Sequence, residues 1–124
     1  MEVLIAQQNT KLAFSLAAEV ARAGGQVSGI VASLEEALKF INGGKGPDLL
    51  LLDAKFTSLD DSRTIAGCQE ERGCLCIFMA GAPTDVPDDL RRKWPVLRGP
   101  DVHDDMRLLL QTAHYFGRLS DAVH

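Results

Sequence analysis

Long apolar runs, an excess of basic charge and paired cysteines are all missing from this chain of 124 residues. Each absence closes a class of function. No apolar run approaches the roughly 18 residues that span a bilayer. The opening Met1-Glu2-Val3-Leu4-Ile5-Ala6 carries no cationic segment of the kind that begins a leader peptide. A cytoplasmic protein without a membrane partner is therefore expected. Lysine and arginine number 13 against 17 acidic residues, a formal charge of −4, so no global field attracts nucleic acid. Cys68, Cys74 and Cys76 are odd in number and lack C-x-x-C spacing, which argues against a disulfide framework and against zinc. They read as small hydrophobes in a reducing compartment. His103, His114 and His124 have no matching carboxylate or cysteine pattern, so no metal site is expected. Phosphate-binding glycine loops, Ser-His-Asp order and nucleophile elbows are absent too, and neither an enzyme nor a cofactor is expected.

What is present is organised around Gly46-Pro47-Asp48-Leu49-Leu50-Leu51-Leu52-Asp53. Four consecutive leucines are too few for a helix and show no alternation, so they read as a strand buried on both faces. Such a strand implies a parallel sheet, and ligands of open parallel sheets collect beyond the carboxyl ends of the strands. Asp53 is the first ionisable residue there.

The rest of the chain alternates around that strand. Val3–Ala6 reads as a first strand, and Thr10 opens a helix whose stripe is Leu12, Leu16 and Val20, stopped by Gly24-Gly25. Gln26–Ala32 is a second strand, with Gly29 marking a bend or close backbone approach. Ser33-Leu34-Glu35-Glu36 is a capping box for a helix packing through Leu34, Ala37, Leu38 and Ile41. A third helix is expected from about Asp61 to Arg72, after a polar loop of residues 57–60. A strand over Cys74–Met79 and a short helix over 87–93 follow. Trp94-Pro95 breaks that helix, and Val96–Arg98 makes a minimal fifth strand. Val102 to about Asp121 is the last helix, capped by Asp101. It carries Met106, Leu109, Leu110, Ala113 and Phe116 on one face, and Leu108, Tyr115 and Leu119 on the other. Five strands alternating with five helices give an α/β domain over residues 1–124, a doubly wound five-stranded parallel sheet in three α/β/α layers.

Several segments together carry a resemblance. They are Gly24 with Val27 and Gly29, then Ala32-Ser33-Leu34-Glu35-Glu36-Ala37-Leu38, then Pro47-Asp48-Leu49-Leu50-Leu51-Leu52-Asp53, then Ile77-Phe78-Met79-Ala80-Gly81, and Pro95-Val96-Leu97 before Pro100. In this order the chain resembles a CheY-like response-regulator receiver domain over essentially its whole length, most of all the single-domain receivers of alphaproteobacteria. The resemblance implies the flavodoxin-like (βα)5 fold and a place in two-component signalling.

It also implies which positions should carry chemistry. In active receivers an aspartate at the position of Asp53 attacks a phosphoryl donor, assisted by Mg²⁺ on a carboxylate pair, a hydroxyl after the fourth strand and a lysine after the fifth. Cations and donors at those places neutralise the charge of the transferring group. Here the carboxylate pair falls on Gln7 and Gln8, the hydroxyl on Ala80 and the lysine on Gly99. Neutral amides are poor ligands for Mg²⁺, so weak or absent binding of the ion is expected. In the alternative in which Asp53 survives as a structural carboxylate, Lys55 or Arg98 approaches the pocket, pairs with it and holds it ionised without phosphate. The expected function is that of a pseudo-receiver, a phosphorylation-independent interaction module for a histidine kinase or other signalling protein. A homodimer through the last helix is a further expectation. Leu108, Tyr115 and Leu119 with Arg91 and Arg98 are the candidate interface. The alternative is a stand-alone regulator still phosphorylated on Asp53, and a small-molecule sensor using the emptied pocket ranks third.

Overall fold

The computed structural model describes residues 1–43, 46–81 and 83–98. The strands are β1 (Glu2–Ala6), β2 (Gln26–Val31), β3 (Leu49–Asp53), β4 (Leu75–Ala80) and β5 (Val96–Arg98). The helices between them are α1 (Thr10–Arg22), α2 (Leu34–Asn42), α3 (Leu59–Glu71) and α4 (Asp88–Lys93), with a 3₁₀ turn over Pro83–Asp85. All strand pairs are parallel, in the order β2-β1-β3-β4-β5. That is the doubly wound flavodoxin-like order.

The leucine run explains the layers. Leu50 and Leu52 point into one core with Leu4, Phe78, Ala37, Ile41 and Ile65, on the side of α2 and α3. Leu49 and Leu51 point into the other, with Val3, Ile5, Ile77, Ala13, Leu16 and Val20 on the side of α1. All four are fully buried, each worth about 1.5–3 kcal/mol relative to an exposed side chain. β3 thus joins the two cores, as its neighbour β1 does through Val3, Leu4, Ile5 and Ala6.

Helix starts follow side-chain caps. Ser33 Oγ accepts from the Glu36 backbone N–H at 3.2 Å and donates its own proton to the Glu36 carboxylate at 3.2 Å, so the expected Ser33–Glu36 pair caps α2, with the return bond made through the hydroxyl. Asn9 caps α1 by accepting from Leu12 N at 3.0 Å. Two expectations are corrected. The buried stripe of α1 is Ala13, Leu16 and Val20, while Leu12 is 39% exposed: the face pressed on the sheet is the one whose alanine allows close approach. α3 begins at Leu59 rather than about Asp61, because Ser58 accepts from Asp61 N at 3.0 Å and brings the supposed loop into the first turn.

At the amino ends of β3 and β4 a buried polar clamp does the joining. Gln69 is fully buried, and its Nε2 donates to the Pro47 carbonyl at 3.2 Å and the Leu75 carbonyl at 3.0 Å. Arg72 donates to Gln69 Oε1 at 3.3 Å. Its guanidinium lies against Gly46, where a Cβ would fall 2.2 Å from Nη1. With φ at +55°, Gly46 serves both the left-handed turn and that close contact. Among the described residues no helix is long and apolar enough to cross a membrane.

Candidate functional site

Asp53 closes β3 opposite Met79 of β4. Ala6 stands opposite Leu52, which brings Gln7 to the level of Asp53 at the carboxyl edge of the sheet. The half-buried Asp53 carboxylate accepts the Lys55 backbone N–H at 3.0 Å, an Asx-type turn. Its carbonyl accepts the Phe56 N–H at 3.0 Å and the Ser62 hydroxyl at 3.0 Å. Ser62 is completely buried, so the backbone that presents Asp53 is tied directly to α3.

Residues 7, 8 and 80, which follow β1 and end β4 at the same edge of the sheet, carry amides and a methyl. Gln7 is buried, and its Oε1 accepts from the Asn9 backbone N–H at 3.0 Å, shaping the turn into α1. Gln8 is exposed and donates to the Ala32 carbonyl at 3.3 Å. Ala80 ends β4 opposite Arg98 and packs its methyl against the α2/α3 core. Among the described residues no group of three histidine, cysteine, aspartate or glutamate side chains is placed to hold a metal ion.

The expectation that Lys55 pairs with Asp53 is corrected. Its ammonium lies 3.6 Å from the Asp85 carboxylate, and only its backbone N–H reaches Asp53. Asp85 belongs to the 3₁₀ turn after β4, a device that the sequence pattern did not reveal. The chain therefore bridges the β3–α3 and β4–α4 connections beside Asp53 with an ion pair of its own.

α4 is tied down in a similar way. Lys93 Nζ lies 3.0 and 3.2 Å from the two Glu70 oxygens, and Arg63 Nη1 lies 2.5 Å from Asp89. Arg91 contacts Asp88 within the helix. Two of the three basic side chains of α4, Arg91 and Lys93, are thus matched by carboxylates. Hydrogen bonding from Arg63 holds the Asp89 carboxyl below its ordinary value. Cys76 is buried in the core, and desolvation pushes its thiol far up, leaving it unreactive. Gly99, the Arg98 side chain, and Leu108, Tyr115 and Leu119 with the whole last helix lie outside the described residues.

Against protein-family models and against curated proteins the chain has no match. Against solved structures the likeness is broad. The signal receiver domain of a putative Luxo repressor protein from Vibrio parahaemolyticus superposes with a TM-score of 0.81 at 23% identity, covering 99% of this chain and 96% of that one. A CheY-like receiver domain from Methylobacillus flagellatus gives 0.76 at 17% identity, over 91% of this chain and 98% of that one. A mutant of the anti-anti-sigma factor PhyR from Bartonella quintana gives 0.77 at 22% identity, over 94% of this chain and 49% of that one. The chain has the response-regulator receiver fold. Within that fold it is similar both to receiver domains along nearly their whole length and to about half of PhyR.

Proposed function

We propose that this chain is a pseudo-receiver of two-component signalling, a protein-interaction or regulatory module rather than an enzyme, working in the cytoplasm without phosphorylation. One observation carries the reading. Where the receiver resemblance asks for a carboxylate pair and a hydroxyl, the carboxyl edge of the sheet carries Gln7, Gln8 and Ala80, and both amides are engaged by backbone groups. Phosphoryl transfer to a carboxylate draws its rate from cations and donors on the equatorial oxygens, and losing one such donor costs on the order of 3 kcal/mol in the transition state. Gln7 and Gln8 in place of carboxylates, Ala80 in place of a hydroxyl and Gly99 in place of a lysine remove three kinds of assistance together. Asp53 instead holds the turn through Lys55 N.

The partner is a histidine kinase or another signalling protein, and the contact uses Leu108, Tyr115 and Leu119 with Arg98 and Arg91. The likeness to an anti-anti-sigma factor supports a receiver fold that works by binding protein. A homodimer through the last helix is the self-association form of the same surface. The second reading, phosphorylation on Asp53, is favoured by the survival of that aspartate at the end of the central strand. Incubation with Mg²⁺ and acetyl phosphate, followed by intact mass measurement, separates the two. An unchanged mass supports the pseudo-receiver. A stoichiometric gain of one phosphoryl mass, lost in Asp53→Asn, overturns it.

A further inference from the structure

The Asp53 carboxylate ends the central strand without a cation. Its Oδ1 accepts the Lys55 backbone N–H at 3.0 Å, while its Oδ2 accepts no hydrogen bond and stays open to solvent. Among the described residues no ammonium or guanidinium stands within ion-pair distance of it. Asp85 is the reason, because it holds the ammonium of Lys55, the cation nearest to Asp53 in the chain, at 3.6 Å. A half-buried carboxylate in this state favours a cation that reaches it from outside.

The rest of this edge selects the kind of cation. Gln7 and Gln8 are neutral and already bonded to the backbone, Ala80 offers only a methyl, and the charges of Lys55 and Asp85 cancel. Asp60 and Asp61, in the first turn of α3, make the field negative and repel an anion. Mg²⁺ asks for several hard oxygen ligands in octahedral array, and among the described residues no group of three metal-binding side chains is placed to hold an ion. A guanidinium asks for less. One carboxylate, whose oxygens have lone pairs to spare, meets its planar fork, and it is more weakly hydrated than an ammonium. The rim suits a residue carried by a protein. Leu12 and Leu59, in the first turns of α1 and α3 at the same edge, are 39% and 40% exposed and give an apolar border to the charge.

We infer that the carboxyl edge of the sheet receives an arginine side chain of a protein partner, whose guanidinium pairs with Asp53, and that Asp85 keeps Lys55 from taking that place. The inference rests on the pseudo-receiver reading, in which no phosphoryl group occupies Asp53.

Titration of the whole chain with acetyl-arginine methylamide at constant ionic strength, followed by amide NMR, tests it on protein whose intact mass shows no phosphoryl group. One charge-assisted contact corresponds to a dissociation constant of roughly 5–100 mM, so the series runs to about 100 mM. The expected shifts fall on residues 53–57, 80, 81 and 85. The lysine derivative should bind several-fold more weakly, and the citrulline derivative, which keeps the shape without the charge, should not bind. Free arginine, whose own carboxylate meets the field of Asp60 and Asp61, should bind more weakly than the capped residue. Asp53→Asn should abolish the shifts. Lys55→Met takes a positive charge from the edge and should tighten binding by roughly 1.5–5-fold, whereas Asp85→Asn frees Lys55 for Asp53 and should weaken it by a similar factor. Lys55 is exposed, so its variant reads the site even if Asp53→Asn does not fold. Absence of shifts, shifts elsewhere, equal binding of the citrulline derivative, tighter binding of free arginine, a folded Asp53→Asn variant that binds unchanged, or a Lys55→Met variant that binds more weakly overturns the inference. Displacement of the arginine derivative by Mg²⁺ at equal ionic strength overturns it too. A phosphoryl mass gained from acetyl phosphate overturns the pseudo-receiver reading itself, by a readout separate from these shifts.

Discussion

Lys55 lies with its ammonium 3.6 Å from Asp85, while its backbone N–H bonds the Asp53 carboxylate at 3.0 Å. One residue thus serves both the surviving aspartate and the turn after β4. The Lys55 side chain is 74% exposed, so its ion pair works in high dielectric and is open to salt. Lys55→Met should change global stability by less than about 1 kcal/mol, the usual range of exposed pairs. Urea unfolding at low and high salt measures it: the difference between wild type and variant should be largest at low salt.

The identity of the groups around Asp53 makes a stronger prediction. Gln7→Asp, Gln8→Asp, Ala80→Thr and Gly99→Lys together restore the carboxylate pair, hydroxyl and cation that the receiver resemblance requires. That variant should take up a phosphoryl group from acetyl phosphate and Mg²⁺, visible by intact mass and abolished by Asp53→Asn. Any one of the four alone should leave the mass unchanged, because each donor is worth on the order of 10²–10³ in rate and the metal needs both carboxylates.

Gln69 offers a test of the fold rather than the site. Gln69→Leu keeps much of the volume but strips the side-chain donor from the Leu75 carbonyl, leaves the Pro47 carbonyl only the longer bond from Arg72 at 3.4 Å, and removes the Gln69 oxygen that Arg72 also reaches. Unsatisfied buried groups of this kind cost about 1–3 kcal/mol each. Chemical denaturation should therefore show a loss well above that of Lys55→Met. A variant as stable as wild type would mean that water replaces the clamp.

The contrast between these residues shows what the sequence made legible. The leucine run, the capping box at Ser33 and the glycine at position 29 each act through local patterning, and each is visible from composition and spacing. Asp53 was placed correctly for the same reason, since a strand buried on both faces must be central. Ser58 and Asp61 repeat the Ser33–Glu36 spacing, so the earlier start of α3 had a signal in the same capping rule. Gln69 and the Lys55–Asp85 bridge had none. Gln69 reaches Pro47 22 positions away and Leu75 across the turn between α3 and β4, and Lys55 reaches Asp85 30 positions away; polar side chains choose among distant partners only after the chain has folded. The stripe of α1 failed at one residue because Leu12 outranks Ala13 in hydrophobicity, whereas close packing on the sheet favours the smaller side chain.

Gly29 and Phe40 should couple. Gly29→Ala places a Cβ 2.6 Å from the ring terminus, and a half-exposed ring at the end of a flexible side chain can swing aside. The expected loss is about 1 kcal/mol, the low end for overpacking. In a Phe40→Ala background the obstruction is gone, and alanine is favoured over glycine in a strand by roughly 0.5–1 kcal/mol. The double-mutant cycle should therefore give a coupling of about 1.5–2 kcal/mol between the two sites, read from urea midpoints.

Arg63 and Asp89 tie α4 to α3, and this contact should make stability depend on acid. The hydrogen bond from Arg63 is the main cause that lowers the Asp89 carboxyl below its ordinary value in the folded chain. A group with a depressed folded pKa stabilises the native state above its unfolded pKa, and that contribution is lost as pH falls through the folded value. Wild type should therefore exceed Asp89→Asn in stability at neutral pH, with the gap closing as the pH drops through and below the ordinary carboxylate range. Because Asp89 is exposed, high salt should narrow the gap at every pH. Arg63→Gln should remove the same pH-dependent increment, and the double variant should behave like either single one. Parallel urea curves across that pH range measure the closing directly, and a gap that stays constant would mean that the Arg63–Asp89 contact does not hold α4, leaving Lys93–Glu70 and the packing of Leu90 and Trp94 to do so.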